Sequence, residues 1–293
     1  MPPYQSQPLP GTQLNYGLGI NLDLCIALPL WEGTGVATYS ALHNAISSGV
    51  LTNTVQGATS GWSGGMLGGS SIRFDGSNDY VGFTLNNVAI DAQGTVSFWY
   101  ASNLDNNRAF FTIGAGGDTN FFTIRFSTTD TLEIIYRPGA DTIRGTVNIG
   151  SKSDDTLWHH VAYTGGLQGN RMYVDGKQVT LTYANGSATS TAWLASITKT
   201  VLELGRLRTS TPQAFFSGRI DNFFMWNRQL SSEEIFQLYK NPYCMFSVFD
   251  ISEYFVPAAP PAGNGRLNAG TRLIATGRLA SNSRLAAGTR PTV

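Results

Sequence analysis

"FSGRIDNFFMWNRQLSSEEIFQLYKNP" (residues 216–242) holds two kinds of structure in one short run. Its first part, GRIDNFFMWN (218–227), is dense in Ile, Phe, Met and Trp and reads as a strand. Its second part reads as a helix with both ends marked. Ser231 stands where an N-cap is needed, and Glu234 three residues on completes a capping box. Leu230 and Ile235 occupy the staple positions that fix the entry angle. Ile235, Leu238 and Tyr239 make one apolar stripe, and Pro242 stops the element. So short a helix with one stripe is expected to lie across a β structure as a lid.

Upstream of it the text is strand-like almost throughout. The runs are LDLCIALPL (22–30), SIRF (71–74), YVGFTL (80–85), TVSFWYAS (95–102), AFFTIGA (109–115) and NFFTIRFS (120–127). TLEIIYR (131–137), TIRGTVNIG (142–150), WHHVAYTG (158–165), RMYVDGKQV (171–179) and VLELGRL (201–207) follow. Short strands separated by Gly, Asn, Asp and Ser predict an antiparallel sandwich or barrel. Asp175-Gly176 supplies the positive φ of a two-residue hairpin turn.

Bulk properties agree. In 293 residues, 42% are hydrophobic, enough to bury a core, while only 13% are charged, well under the usual quarter. Polarity must then come from Ser, Thr, Asn and the 33 Gly, a mix that favours strands and tight turns. The net charge of zero conceals an asymmetry. Beyond Tyr254 there are five Arg and no Asp, Glu or Lys, so residues 1–253 carry 14 basic and 19 acidic groups. The body is therefore near −5 and the tail near +5. A body without a basic patch gives no support for nucleic acid as a partner. No run approaches the ~18 apolar residues of a membrane span. The opening MPPYQSQPLPGTQLNYG has no basic start and no apolar core, so no signal peptide is expected and folding in a cytoplasm is. Four prolines in the first ten residues suggest an extended arm over 1–16. Cys25 and Cys244 fit either two buried thiols or a disulfide joining the first and last elements.

LWEGTG, IRFDGSNDYV, TVSFWY, LWHHVAYT with RMYVDGKQV, and the 216–242 run occur in that order. The series resembles the concanavalin-A-like jelly roll of the laminin-G and pentraxin type over residues 17–247. The resemblance implies an all-β fold of two stacked antiparallel sheets, with a curved face that in relatives is often sugar-binding. Members with an LYKNP-like helix followed by a short unusual tail resemble bacteriophage virion proteins. Some relatives are glucanases, whose signature is Glu-x-Asp-x-Glu. Glu32, Glu133, Glu203, Glu233, Glu234 and Glu253 are the six glutamates, and none forms that pattern. Glu133 and Glu203 each stand alone in an apolar strand and read as outward-facing. The adjacent His159 and His160 point to opposite faces of a strand and read as structural. Asp75 and Asp221 match positions that in similar domains often help to bind calcium, with Glu32 in the nearby WEGTG loop; calcium is the implied cofactor. Trp99, Trp158 and Trp226 sit in strand motifs and are expected in the core. Trp62 and Trp193, in Gly- and Ser-rich stretches, are the expected sugar-stacking platforms.

Residues 248–293 form a tail with its own rule. Arg266, Arg272, Arg278, Arg284 and Arg290 fall every sixth residue, and Leu267, Leu273, Leu279 and Leu285 follow the first four. A helix turns ~600° in six residues and would scatter them, whereas a strand would put every Arg on one side and every Leu on the other. The tail is expected to be extended and ordered by something outside itself: sister chains, a trimer among the options, or an acidic neighbour such as a capsid or tail protein. The reading is a non-enzymatic structural virion protein that displays a jelly roll able to bind glycans. The alternatives are a free bacterial lectin and a glycan hydrolase.

Overall fold

A computed structural model of the chain describes residues 14–15, 17–30, 51–56, 61–66, 69–85, 92–211 and 213–246. The chain divides into two units, Met1–Phe249 and Asp250–Val293. The strands of the first unit are, in chain order, β1 (Leu24–Leu28), β2 (Leu51–Gln56), β3 (Gly61–Gly64), β4 (Ser70–Asp75), β5 (Tyr80–Leu85), β6 (Gly94–Ser102), β7 (Arg108–Gly114) and β8 (Asn120–Thr128). Then come β9 (Thr131–Pro138), β10 (Ile143–Asn148), β11 (His159–Gly165), β12 (Arg171–Val174), β13 (Lys177–Val179), β14 (Thr182–Asn185), β15 (Val201–Leu204) and β16 (Ser217–Trp226). Helix α1 (Ser232–Lys240) follows. All pairings are antiparallel. One sheet runs β13–β12–β11–β6–β16–β4–β3, with β1 also on β16; the other runs β14–β10–β9–β8–β7–β15–β5–β2. This is the jelly-roll sandwich the sequence predicts.

Period-two alternation builds the core. Val96, Phe98 and Tyr100 of β6 point between the sheets, while Thr95, Ser97, Trp99 and Ala101 point outward. Aromatic rings fill the interior: Phe98 meets Phe110 at 5.0 Å, and Phe110 meets Phe126 at 4.8 Å. Offset and edge contacts of this kind add to the ~1.5–3 kcal/mol each such side chain gains by burial.

A second, smaller core lies on the outer face of the first sheet. Phe224 and Trp226 of β16 are buried there beneath Leu230, Ile235 and Leu238 of the lid, together with Tyr243, Met245 and Phe246. The capping box forms as expected: the Ser231 side chain accepts from the Glu234 amide, and the Glu234 carboxylate accepts from the Ser231 amide at 2.9 Å. Tyr239 stacks on Trp99 at 5.7 Å. The hairpin turn has φ of 50° at Asp175 and 73° at Gly176. A side chain on Gly176 would also strike the Tyr239 ring. The N-terminal end joins this layer, because Leu14 bridges to Phe246 and the Asn15 amide donates to the Met245 carbonyl. Leu14 and Asn15, which the sequence reading puts in the arm, thus contact this layer.

Three strands escape the sequence reading: β2, β3 and β14. β3 is Gly-Trp-Ser-Gly, weak in strand propensity, and forms because β4 supplies its ladder at the sheet edge. The two cysteines are free. Cys25 lies in the core between the sheets and Cys244 against the outer layer, so sheet one separates them. Burial pushes both thiols up to about 12.

The two histidines do face opposite ways. His160 is buried under the lid beside Trp99, its Nε2 2.8 Å from Ser97 Oγ. Burial drives it down to about 3, against the weaker pull of Asp175. His159 lies between Asp155 and Asp175. Burial opposes its charge, but the hydrogen bonds to the two carboxylates outweigh that and its pKa is raised. The signs are opposite. His159 contributes stability that is fully present below about pH 6.5 and lost as pH rises through its folded pKa. His160 contributes stability that is present above about pH 6.5 and lost as pH falls toward 3. Between pH 6.5 and 4 the His160 effect is expected to dominate, removing about 1.4 kcal/mol per pH unit. Denaturant titrations across that window check this: His160→Gln should flatten the slope, and an unchanged slope would contradict the assignment.

Candidate functional site

The residues singled out in the sequence fall in different places. Trp193 is not an exposed platform. It is 3% exposed and stacks on Tyr163 at 6.0 Å inside the sandwich. The cause is a pair of glycines opposite one another, Gly94 and Gly165: a Cβ on either would lie within 2.7 Å of the indole. Trp62 sits on β3, not in a loop. It is opposite Ile72 and packs half-buried against the core. Asp75 and Asp221 do not share a site. Asp75 faces Ser217 across the β4–β16 ladder, and Asp221 lies four residues further along, about 13 Å away. The Asp75 carboxylate accepts from the Ser77 amide at 2.8 Å and closes the turn. Asp221 is buried and accepts from the Met66 amide at 3.1 Å. Among the described residues no three His, Cys, Asp or Glu side chains converge on a metal position. Glu32 lies outside the described residues. So do Arg266, Leu267, Arg272, Leu273, Arg278, Leu279, Arg284, Leu285 and Arg290.

What the fold does build is a cleft of about 470 Å³ on the outer face of sheet one. Among the described residues, the lid and residues 243–246 cover one end of that face and leave the other open. β16 runs through both ends. Its second half carries Phe224 and Trp226 under the lid, and its first half carries Arg219 into the cleft. Arg219 stands opposite Arg73 of β4 on one side and Ala101 of β6 on the other. Because Ala101 is small, the Arg219 side chain crosses it and lies 4.9 Å from the Trp158 ring centroid. Arg219 Nη1 also donates to the Gly64 carbonyl at 2.9 Å. Gly218 keeps the cleft wall thin: its φ is 144° and a Cβ would come within 2.3 Å of the Ala101 carbonyl. Asn103 accepts from the Ser217 hydroxyl at 3.1 Å, which turns its NH2 outward as a donor. Sequence reasoning assigned Trp158 to the core. Only its place one residue before β11, beyond the last ladder pair at His159, signals otherwise.

The outer face of sheet two is built differently. Glu133 and Glu203 face outward there, as the sequence reads them, but arginines cover and bury them. Glu133 accepts from Arg125 at 2.6 Å and from Arg144 at 2.7 Å. Glu203 accepts from Arg206 at 2.6 Å and from Arg208 at 2.7 Å. β9 and β15 are separated by β8 and β7, so the two carboxylates stand three strands or roughly 14 Å apart. Glycoside hydrolysis needs such a pair within ~9.5 Å, with one member able to give up a proton. These two are too far apart, and each accepts from two guanidiniums.

The profile of a laminin-G-type family, the concanavalin A-like lectin/glucanases superfamily, matches residues 75–236. No curated protein matches the chain. Among solved structures, the binding domain of botulinum neurotoxin serotype C1 superposes with a TM-score of 0.56 at 13% identity, covering 76% of this chain and 53% of that one. The binding domain of botulinum neurotoxin DC, solved in complex with rat synaptotagmin II, gives 0.52 at 15% identity over 76% and 52%. The same domain in complex with SialylT gives 0.51 at 14% identity, again over 76% and 52%. The chain spans about half the length of these binding domains, and at such identities the likeness is one of fold. Two antiparallel sheets in jelly-roll order, and a family match over more than half its length, establish that the chain belongs to the concanavalin A-like lectin/glucanase superfamily.

Proposed function

We propose that the protein is a non-catalytic virion component whose jelly roll binds glycans and whose hexad tail attaches or assembles it. The observation that carries the binding reading is the open cleft on sheet one. Its volume lies within the ~300–1,000 Å³ range of small-ligand sites. Its walls present guanidinium, amide and hydroxyl groups beside an indole, which is the mix a saccharide's hydroxyls and apolar ring face require. The lectin-like family and a neighbouring binding domain complexed with SialylT support the same class of ligand. The caged state and wide spacing of Glu133 and Glu203 support a role without turnover. The full-length chain is expected to bind a subset of glycans on an array and to leave every one of them uncleaved. Binding to none, or hydrolysis of any, would contradict this.

The virion reading rests on the ordered motifs that end in LYKNP and on the tail. A contact that recurs every six residues is useful only along a partner that repeats, such as a sister chain or a particle surface. Replacing Leu267, Leu273, Leu279 and Leu285 by Ser would remove about 1.5–3 kcal/mol for each side chain that is fully buried against that partner. The variant is expected to lose oligomer or particle association, measured by sedimentation, while the jelly roll keeps its melting temperature. Association equal to wild type would remove the assembly role.

A further inference from the structure

Arg73 and Arg219 face one another across the β4–β16 ladder, and like charges directly opposite destabilise a sheet. Most other described arginines meet a carboxylate, the exceptions being Arg171 and Arg108, whose Nη1 donates to the Gly76 and Phe215 carbonyls. On sheet two, Arg125, Arg137, Arg144, Arg206 and Arg208 each meet a Glu or Asp. Arg228 meets Glu234 beside the lid. Neither Arg73 nor Arg219 pairs with a carboxylate among the described residues, and Arg73 is exposed. Asp75 lines the same cleft with Oδ1 turned to the Ser77 and Asn78 amides, so the walls hold two guanidiniums and one carboxylate.

One of the two guanidiniums is fixed in advance. The Gly64 carbonyl and the Trp158 ring hold Arg219, and the space for this comes from Ala101. A guanidinium positioned before binding loses little freedom when it meets an oxyanion, and its N–H fork can donate to a carboxylate or sulfate. Asn103 adds an amide donor. One exposed leucine lines the cleft, Leu104 at 47%, which a bare ion would leave in water.

We propose that the cleft selects an acidic saccharide, with Arg73 and Arg219 together holding its carboxylate or sulfate and Trp158 acting as the positioning residue for Arg219. This deepens the glycan-binding reading of the same site and rests on it. The like-charge pair is then a standing cost in the free protein that the ligand's charge relieves.

The test uses the full chain and matched saccharides in neutral, carboxylated and sulfated forms, with inorganic sulfate as a fourth probe. Binding is read by calorimetry at low and high salt. Acidic forms are expected to bind at least about tenfold tighter than the neutral parent, with the advantage shrinking in high salt. The carboxylated and sulfated arms report which oxyanion is preferred, and an advantage for either supports the proposal. Arg73→Gln and Arg219→Gln should each remove at least about tenfold of the acidic binding, and more of it than of the neutral binding. Arg73→Gln should not lower the melting temperature, since it relieves repulsion and removes no hydrogen bond or ion pair. Trp158→Ala should weaken acidic binding less than Arg219→Gln does. Equal binding of neutral and acidic forms, unaffected by either Arg variant, would overturn acid selection while leaving glycan binding in place. Failure of every saccharide would overturn both readings. Inorganic sulfate binding as tightly as the saccharides would overturn the saccharide assignment.

Discussion

Strand β16 has two different neighbours along one edge, and much of the molecule follows from that. Residues 217–220 pair with β4, whereas Phe223–Trp226 pair with β1. The change of partner happens where the ladder to β6 breaks register between Asp221 and Phe224, with Asn222 at a φ of 49°. A bulge of this kind re-aims the side chains that follow it. Beyond it, Phe224 and Trp226 present a large apolar surface on the outside of the sheet, which water would penalise. The lid, residues 243–246 and the Leu14 bridge exist to cover that surface, and the Trp226 indole donates to the Ile20 carbonyl at 2.8 Å. Before the bulge the outer residue is Arg219, which needs no cover. The same strand thus makes a closed end and an open one.

Much of this is legible in the sequence, for identifiable reasons. The lid's capping box and stripe are local, so Ser231, Glu234, Ile235 and Leu238 can be read without knowing the fold. Asp175-Gly176 is legible because its turn demands positive φ at both positions. The misreadings share a cause: the partner decides, and the partner is distant in sequence. Trp193 follows a polar stretch, yet Gly94 and Gly165, far upstream, clear the space that buries it. Trp158 heads an apolar run, yet the pleat turns it outward to meet Arg219. Glu133 and Glu203 look isolated in apolar strands because their arginines come from neighbouring strands and the following turn. Asp75 and Asp221 accept from the Ser77 and Met66 amides, and strand register keeps the two apart.

The two outer faces of the sandwich handle charge in opposite ways. On sheet two each glutamate is shared by two arginines in close contact, a satisfied network that stiffens the surface and leaves little free charge to offer. At the cleft on sheet one, Arg73 and Arg219 pair with no carboxylate among the described residues, and Arg219 is braced against an indole. That contrast is what the proposed oxyanion site rests on. The body's net negative charge of about five sharpens the point, since this cleft is a local exception to it.

A crystal structure of the full chain with a bound acidic saccharide tests the central claim most directly. The account requires the ligand's oxyanion between the Arg73 and Arg219 guanidiniums, with the Arg219–Trp158 stack unchanged and the sugar reaching toward Asn103 and Leu104. A ligand seated over the Glu133 and Glu203 face of sheet two, or held by the lid, would contradict it.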